Sequence, residues 1–260
     1  IMVLWSCYFT ATFIVTAVLA PVLLNAAGWR GLALAHAALL VVVGLLCLRG
    51  VAQPTIEAQP TRLSGRTVLH SQWRLLSQGR LLAIPATFLG YTLLFVALVS
   101  ALPGWLAPTP SARAWLALAL PGASLVGTVI ALHLLARSMA GHRLVGATAA
   151  GLLLTGLGLA LLPPQGLAAH AVALALFVLL GILPAGVVSS VPAVFGPADP
   201  DIALVNGGLV QFGNLGNFVG APILALLWGA WGWAGAGMYV GVGALVVWVC
   251  LQLLRRYVRG

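Results

Sequence analysis

Long charge-free apolar stretches recur along this chain, each bounded by short polar or glycine- and proline-rich punctuation. Eight windows stand out, at about 3–26, 31–48, 81–102, 114–136, 144–162, 168–191, 203–227 and 232–254. Most run for about twenty residues, the length an α-helix needs to cross about 30 Å of hydrocarbon. A transmembrane barrel would instead alternate apolar and polar residues over segments of about ten. The pattern predicts an all-α integral membrane protein, a polytopic bundle of about eight transmembrane helices. The connections carry interfacial turns, among them "AAGWRG", "LPGWLAPTPSAR", "LPPQG" and "FGPADPD". One connection differs in kind. Residues 49–80, "RGVAQPTIEAQPTRLSGRTVLHSQWRLLSQGR", form a polar linker that divides two spans, in 1–48, from six, in 81–260.

Composition narrows the class. Of 260 residues, 62% are hydrophobic and 6% charged, with a mean hydropathy of +1.12. A soluble domain carries about 25% charged residues. So few charges cannot cover a water-facing surface, so the lipid bilayer is the expected partner. The net charge of +9 does not imply nucleic-acid binding, because its placement reads as topology. All twelve basic residues are arginine, and nearly all lie between apolar runs. Arg49, Arg62, Arg66, Arg74 and Arg80 put the linker in the cytoplasm. Alternation then places Arg137, Arg143, Arg255, Arg256 and Arg259 on the same side, leaving Arg30 and Arg113 opposite. A multi-pass cell-membrane protein is expected, in a bacterial inner membrane, with both ends of this chain cytoplasmic. Cys7, Cys47 and Cys250 lack metal-ligand spacing, and neither metal nor cofactor is expected. The opening "IMVLWSCYF" has no basic leading region, so no signal peptide is expected.

A repeat is visible across the linker. "LAPVLLNAAGWRG" and "GAPILALLWGAWGWAG" each carry an Ala-Pro pair followed by a Gly-Trp pair, at Pro21 with Gly28-Trp29 and Pro222 with Gly232-Trp233. Each Pro lies in the outer half of a predicted span, and each Gly-Trp near the outer turn. Repeated helical halves around a central site are a common plan for secondary transporters.

With this arrangement the chain resembles the major facilitator superfamily, whose members consist of two six-helix halves joined by a long cytoplasmic loop. "LWSCYF" with "LAPVLLNAAGWRG" resembles the family's fifth helix and its turn into the sixth. "NGGLVQFGNLGNFVGAP", residues 206–222, is similar to its eleventh, and within the superfamily resembles the cyanate-permease-like branch. The resemblance covers nearly the whole chain as helices five to twelve. It implies that the first four helices are missing, so that this is a fragment or truncated product. The sequence also departs from the family. The loop motif "SMAGHR" keeps Gly141 and Arg143 but has Ser138 where an acid would stand. Of the antiporter glycines and proline of the fifth helix, only Pro21 aligns.

The chain's three acids, Glu57, Asp199 and Asp201, fall in predicted loops, with Asp201 placed to cap the following helix. Without a carboxylate inside a span, a coupling proton would need a histidine or the missing helices. His36, His133 and His170 lie within or at the ends of spans and read first as packing or interfacial residues. "GLLLTGLGLALL" has glycines but no preceding strand, so it is no nucleotide loop.

The densest polar chemistry is in 206–222, with three Asn, one Gln and five Gly. Gln211, Asn214 and Asn217 lie near mid-span and sweep about 120° of one helix side. Amides facing hydrocarbon are costly, so they should face protein or water. Two readings follow: glue between helices, or a cavity wall that hydrogen-bonds a small polar or anionic solute. Gly213, Gly216 and Gly220 suit close helix packing, with Gly216-x-x-x-Gly220 as the small-residue pattern. Pro184, with Gly181 and Gly186, would allow a bend, and Pro21 and Pro222 are further packing or hinge positions. The resemblance adds Tyr91 as an aromatic wall of the substrate cavity. The expected function is a secondary transporter of a small solute working by alternating access. The alternatives are a non-transporting scaffold, an inactive fragment, or a membrane-embedded enzyme, for which no acid or histidine cluster is present.

Overall fold

Backbone polar groups find no water inside a bilayer, so a chain this apolar satisfies them within helices. The computed structural model describes residues 8–50, 64–196 and 198–258, and these contain helices and no strand. Cys7, Glu57, Arg62 and Arg259 lie outside the described residues. Seven of the described helices are long and apolar enough to cross a membrane. The first, α1 (Tyr8–Gly50), is about twice the required length. It is divided at Gly28, whose φ of 64° and ψ of −174° are not helical. Val15, Leu19 and Leu23 from one arm and Leu32, His36 and Leu39 from the other line a shared cavity of about 470 Å³. The arms therefore fold back on one another, as the two windows 3–26 and 31–48 predict.

The linker departs from its expected character. Within 49–80 the chain forms α2 (Gly65–Ser77), with the Ser64 hydroxyl accepting from the Thr67 N–H at 3.2 Å. Leu75 of α2 is fully buried. An N-cap and one apolar anchor thus turn part of a polar connection into structure.

Six spans follow in the order α3 (Gly79–Leu106), α4 (Pro110–Ala136), α5 (Gly141–Leu161), α6 (Leu167–Ser189), α8 (Ile202–Trp231) and α9 (Trp233–Arg255). A single turn, α7 (Val191–Val194), lies between α6 and α8. α3 is buried along most of its length and packs against α8 on one side and α9 on another, while α4 and α5 both pack on α6. The first hairpin joins this group chiefly through α4. There Thr10 and Ser124, both buried, bring their hydroxyls to 3.3 Å. At the end of the bundle that holds Arg113, Trp105 stacks on Trp228 with centroids 3.6 Å apart, and the Trp233 indole donates to the Leu162 carbonyl at 2.7 Å. Tryptophan at this level suits a membrane interface.

Van der Waals contact carries much of helix association in lipid, where burial of apolar area offers little drive. α8 meets α3 through Gly208, Gly213, Gly216 and Gly220, all buried. A β-carbon on Gly216 would collide with the Thr92 hydroxyl and lie 2.8 Å from the Leu93 nitrogen and 2.9 Å from the Leu89 oxygen. Two of those three obstacles are backbone and cannot rotate away. Gly207, one position from Gly208, has open space instead. We expect Gly216→Val to cost about 1–3 kcal/mol or more by forcing the helices apart. Gly207→Ala should be neutral or stabilise by up to about 1 kcal/mol through helix propensity. Thermal unfolding of the two variants in detergent, followed by tryptophan fluorescence, checks the contrast.

Candidate functional site

At about 100° per residue, the α8 glycines and the amides fall on opposite sides of one helix. Gly213, Gly216 and Gly220 face α3, and Gln211 and Asn214 are exposed on the far side, where no other described helix covers them. Asn217 lies between the two faces and is half-buried. Its Oδ1 is buried without a hydrogen-bond partner among the described residues, as is that of Asn206. Asn206 is roughly three turns before Asn217 on the same flank of the helix. It belongs to the amide stripe but lies outside the mid-span trio of Gln211, Asn214 and Asn217 that the sequence singles out. Its spacing from Asn217 was the available signal.

The other candidate positions lie elsewhere. Tyr91 is buried in an aromatic ladder on α3, 5.4 Å by ring centroids from Phe88 and from Phe95. Phe95 in turn meets Phe13 of α1 at 5.8 Å and Phe177 of α6 at 5.6 Å. Tyr91 therefore stands next to the junction that Phe95 makes with α1 and α6, and not beside Gln211 and Asn214. Pro184 is buried within α6, which continues through it. One turn earlier, the Thr128 hydroxyl of α4 donates to the Gly181 carbonyl at 3.2 Å. Pro222 is exposed on α8. Pro21 lines an open cavity of about 490 Å³ between α1, the end of α3 and the start of α4, with Thr16, Ser100 and Arg113 as its polar lining. Gly141 is buried where α5 crosses α6, a β-carbon there reaching 2.7 Å from the Ser190 hydroxyl, while Arg143 is exposed. Ser138 adopts a φ of 65° in the turn before them.

The histidines are dispersed. His36 lines the cavity between the arms of α1, His133 is exposed on α4, and the His170 Nδ1 lies 3.0 Å from the Gly166 carbonyl at the start of α6. No group of three metal-ligating side chains occurs among the described residues.

The described acids act at the arginine-rich end. The expected N-cap role of Asp201 is not seen, since its carboxylate makes no cap bond. It accepts instead from Arg74 of α2 at 2.9 Å. Asp199 accepts from Arg80 at 2.6 Å through one oxygen and from the Asp201 N–H at 3.0 Å through the other. Arg80 also donates to the Val194 carbonyl at 3.1 Å and lies 4.5 Å above the Phe195 ring. One guanidinium thus ties the start of α3 to the connection leading into the amide helix. A lysine can supply the charge but not the planar fork and stacking face. Arg80→Lys should therefore lower the thermal midpoint in detergent, and Arg80→Ala should lower it further, by a few degrees each. Equal midpoints for the lysine variant and the parent would show that charge alone suffices.

No protein-family model matches the chain, and no curated protein or solved structure matches it either.

Proposed function

We propose that this chain is the greater part of a secondary transporter of the major facilitator type, which moves a small polar solute by alternating access. The observation that carries the reading is the two-faced character of α8. Its glycines seal one side against α3, which leaves Gln211 and Asn214 pointing out of the bundle at mid-span. An amide turned to hydrocarbon costs several kcal/mol, so this face is suited to water or to polar groups of another helical half. The four helices that the resemblance assigns to the family's N-terminal side would form that half. The path would run between them and α8, with Gln211 and Asn214 hydrogen-bonding the solute and Asn217 and Asn206 lining its edge. Both amides are neutral and both donate and accept, which favours an uncharged polar solute or a weakly held anion.

The arginine distribution supports a cytoplasmic placement of the linker and of both ends in a bacterial inner membrane. No described helix carries a mid-span carboxylate. In a proton-coupled cycle, the proton carrier would therefore be His36, His133, His170 or a group on the other half.

Water access tests the reading without a known substrate. In full-length protein lacking Cys7, Cys47 and Cys250, Asn214→Cys should react with a water-soluble maleimide. Leu245→Cys, also exposed but on α9, should stay unreactive because lipid covers it. If both resist the reagent, the amides are helix glue and the scaffold reading takes over. For transport itself, Gln211→Ala and Asn214→Ala in proteoliposomes should each reduce solute uptake about tenfold, equivalent to about 1.4 kcal/mol. Uptake unchanged in both would remove them from the path.

A further inference from the structure

The linker helix α2 carries an apolar surface that the bundle does not use. Its anchor, Leu75, points inward and rests against Gly208 of α8. Leu69, Trp73 and Leu76 are spaced i, i+4, i+7 and share another side of the helix. They are 72%, 69% and 54% exposed. On the helix this stripe is turned about 100–160° away from Leu75. Arg66 and His70 border it, and both are exposed. Only Gln78 separates α2 from α3, the helix that enters the bilayer, so the stripe lies near the level of the membrane surface.

Charge specifies what covers it. Arg49, Arg66, Arg74, Arg80, Arg137, Arg143, Arg255 and Arg256 gather at this end of the bundle, and the described acids are Asp199 and Asp201. Those two are already held by Arg80 and Arg74. Among the described residues no carboxylate pairs with Arg66, which stands beside a stripe containing tryptophan and leucine. Trp with flanking Arg is the pairing that favours the boundary between headgroups and acyl chains. Basic residues at that boundary attract anionic lipid.

We propose that α2 lies in the headgroup layer of the leaflet at the arginine-rich end and binds anionic phospholipid there. Leu69, Trp73 and Leu76 enter the acyl boundary, and the Arg66 guanidinium engages lipid phosphates. Leu75 and the Arg74–Asp201 pair, on the other side, keep the helix fastened to α8 while it does so. The site depends on the fold and charge of α2 and stands whether or not the chain transports a solute.

The test uses full-length protein with Cys7, Cys47 and Cys250 changed to Ser and Leu69→Cys carrying an environment-sensitive nitrobenzoxadiazole label. A second protein, labelled through Leu76→Cys, serves if the first fails to fold. Each is reconstituted into phosphatidylcholine vesicles with or without roughly one-third phosphatidylglycerol. With phosphatidylglycerol present, the label should shift to the blue, resist iodide and be quenched by doxyl-labelled lipid. Arg66→Gln should lower the docked-to-undocked ratio about fivefold, the effect of about one basic residue at an anionic surface. Equal iodide access in both vesicle types overturns the proposal. So does protection without quenching by doxyl lipid, which marks a protein cover, and so does lipid quenching indifferent to phosphatidylglycerol and to Arg66.

Discussion

The approach of α8 to α3 along Gly208, Gly213, Gly216 and Gly220 sets the direction of every other side chain on α8. A helix with one face of glycine can meet its neighbour backbone to backbone, and no rotation of α8 would preserve that contact. Gly220 shows how little room remains. A β-carbon there would lie against the Leu93 carbonyl and 2.9 Å from the Tyr239 hydroxyl. That hydroxyl, from α9, donates to the same Leu93 carbonyl, so α3, α8 and α9 converge on one backbone oxygen. With α8 pinned in rotation, Gln211 and Asn214 are held outward at mid-span. Their exposure follows from the packing of the opposite face and does not depend on any partner of their own.

The polar chemistry of this chain is sorted by depth. Charge sits at the helix ends, and the described carboxylates are used there as struts. Asp199 and Asp201 receive Arg80 and Arg74 and so couple α2 and the start of α3 to the start of α8. Deeper in the bundle the polar groups are hydroxyls and amides, which can be hydrogen-bonded within lipid without the large cost of burying an ion. Thr128, for example, bonds both its own helix at Ser124 and α6 at Gly181. The start and the middle of α8 therefore differ in kind. Ion pairs fasten the arginine-rich end, while the middle is fastened by shape alone.

Much of this was legible from residue spacing. The apolar windows locate the spans, and their ends extend where a cap was available. The window at 114–136 begins at Pro110 because Thr109 caps the helix, its hydroxyl accepting from the Ala112 N–H at 3.3 Å. The spacing of Gly213, Gly216 and Gly220 gave the packing face of α8, and with it the opposite placement of Gln211 and Asn214. Tyr91 was harder to place. α3 is apolar on every side, so its depth could be read but its direction could not. Asp201 reads as a cap until α2 is known, because its actual partner, Arg74, comes from a helix that no charge-free window reveals. α2 has too few apolar residues for a span, and its amphipathic spacing becomes evident only once Leu75 is seen to be buried.

The two Gly-Trp turns connect the packing to the proposed function. Gly28 and Gly232 are the glycines with positive φ among the described residues, at 64° and 56°. Each is followed by tryptophan and preceded by an Ala-Pro pair within the helix before it. Shared sequence alone could be coincidence in a chain rich in Ala, Gly and Trp. A positive φ at the reversal of a helical hairpin is a second likeness. If the hairpins are equivalent members of two halves, the first belongs with helices outside this chain just as α8 and α9 belong with α3. The contacts of Phe13 with Phe95 and of Thr10 with Ser124 then run across the boundary between halves. Among the described residues no ion pair joins α1 to its neighbours, so under the proposed reading the halves would rock without exposing an uncompensated charge to lipid.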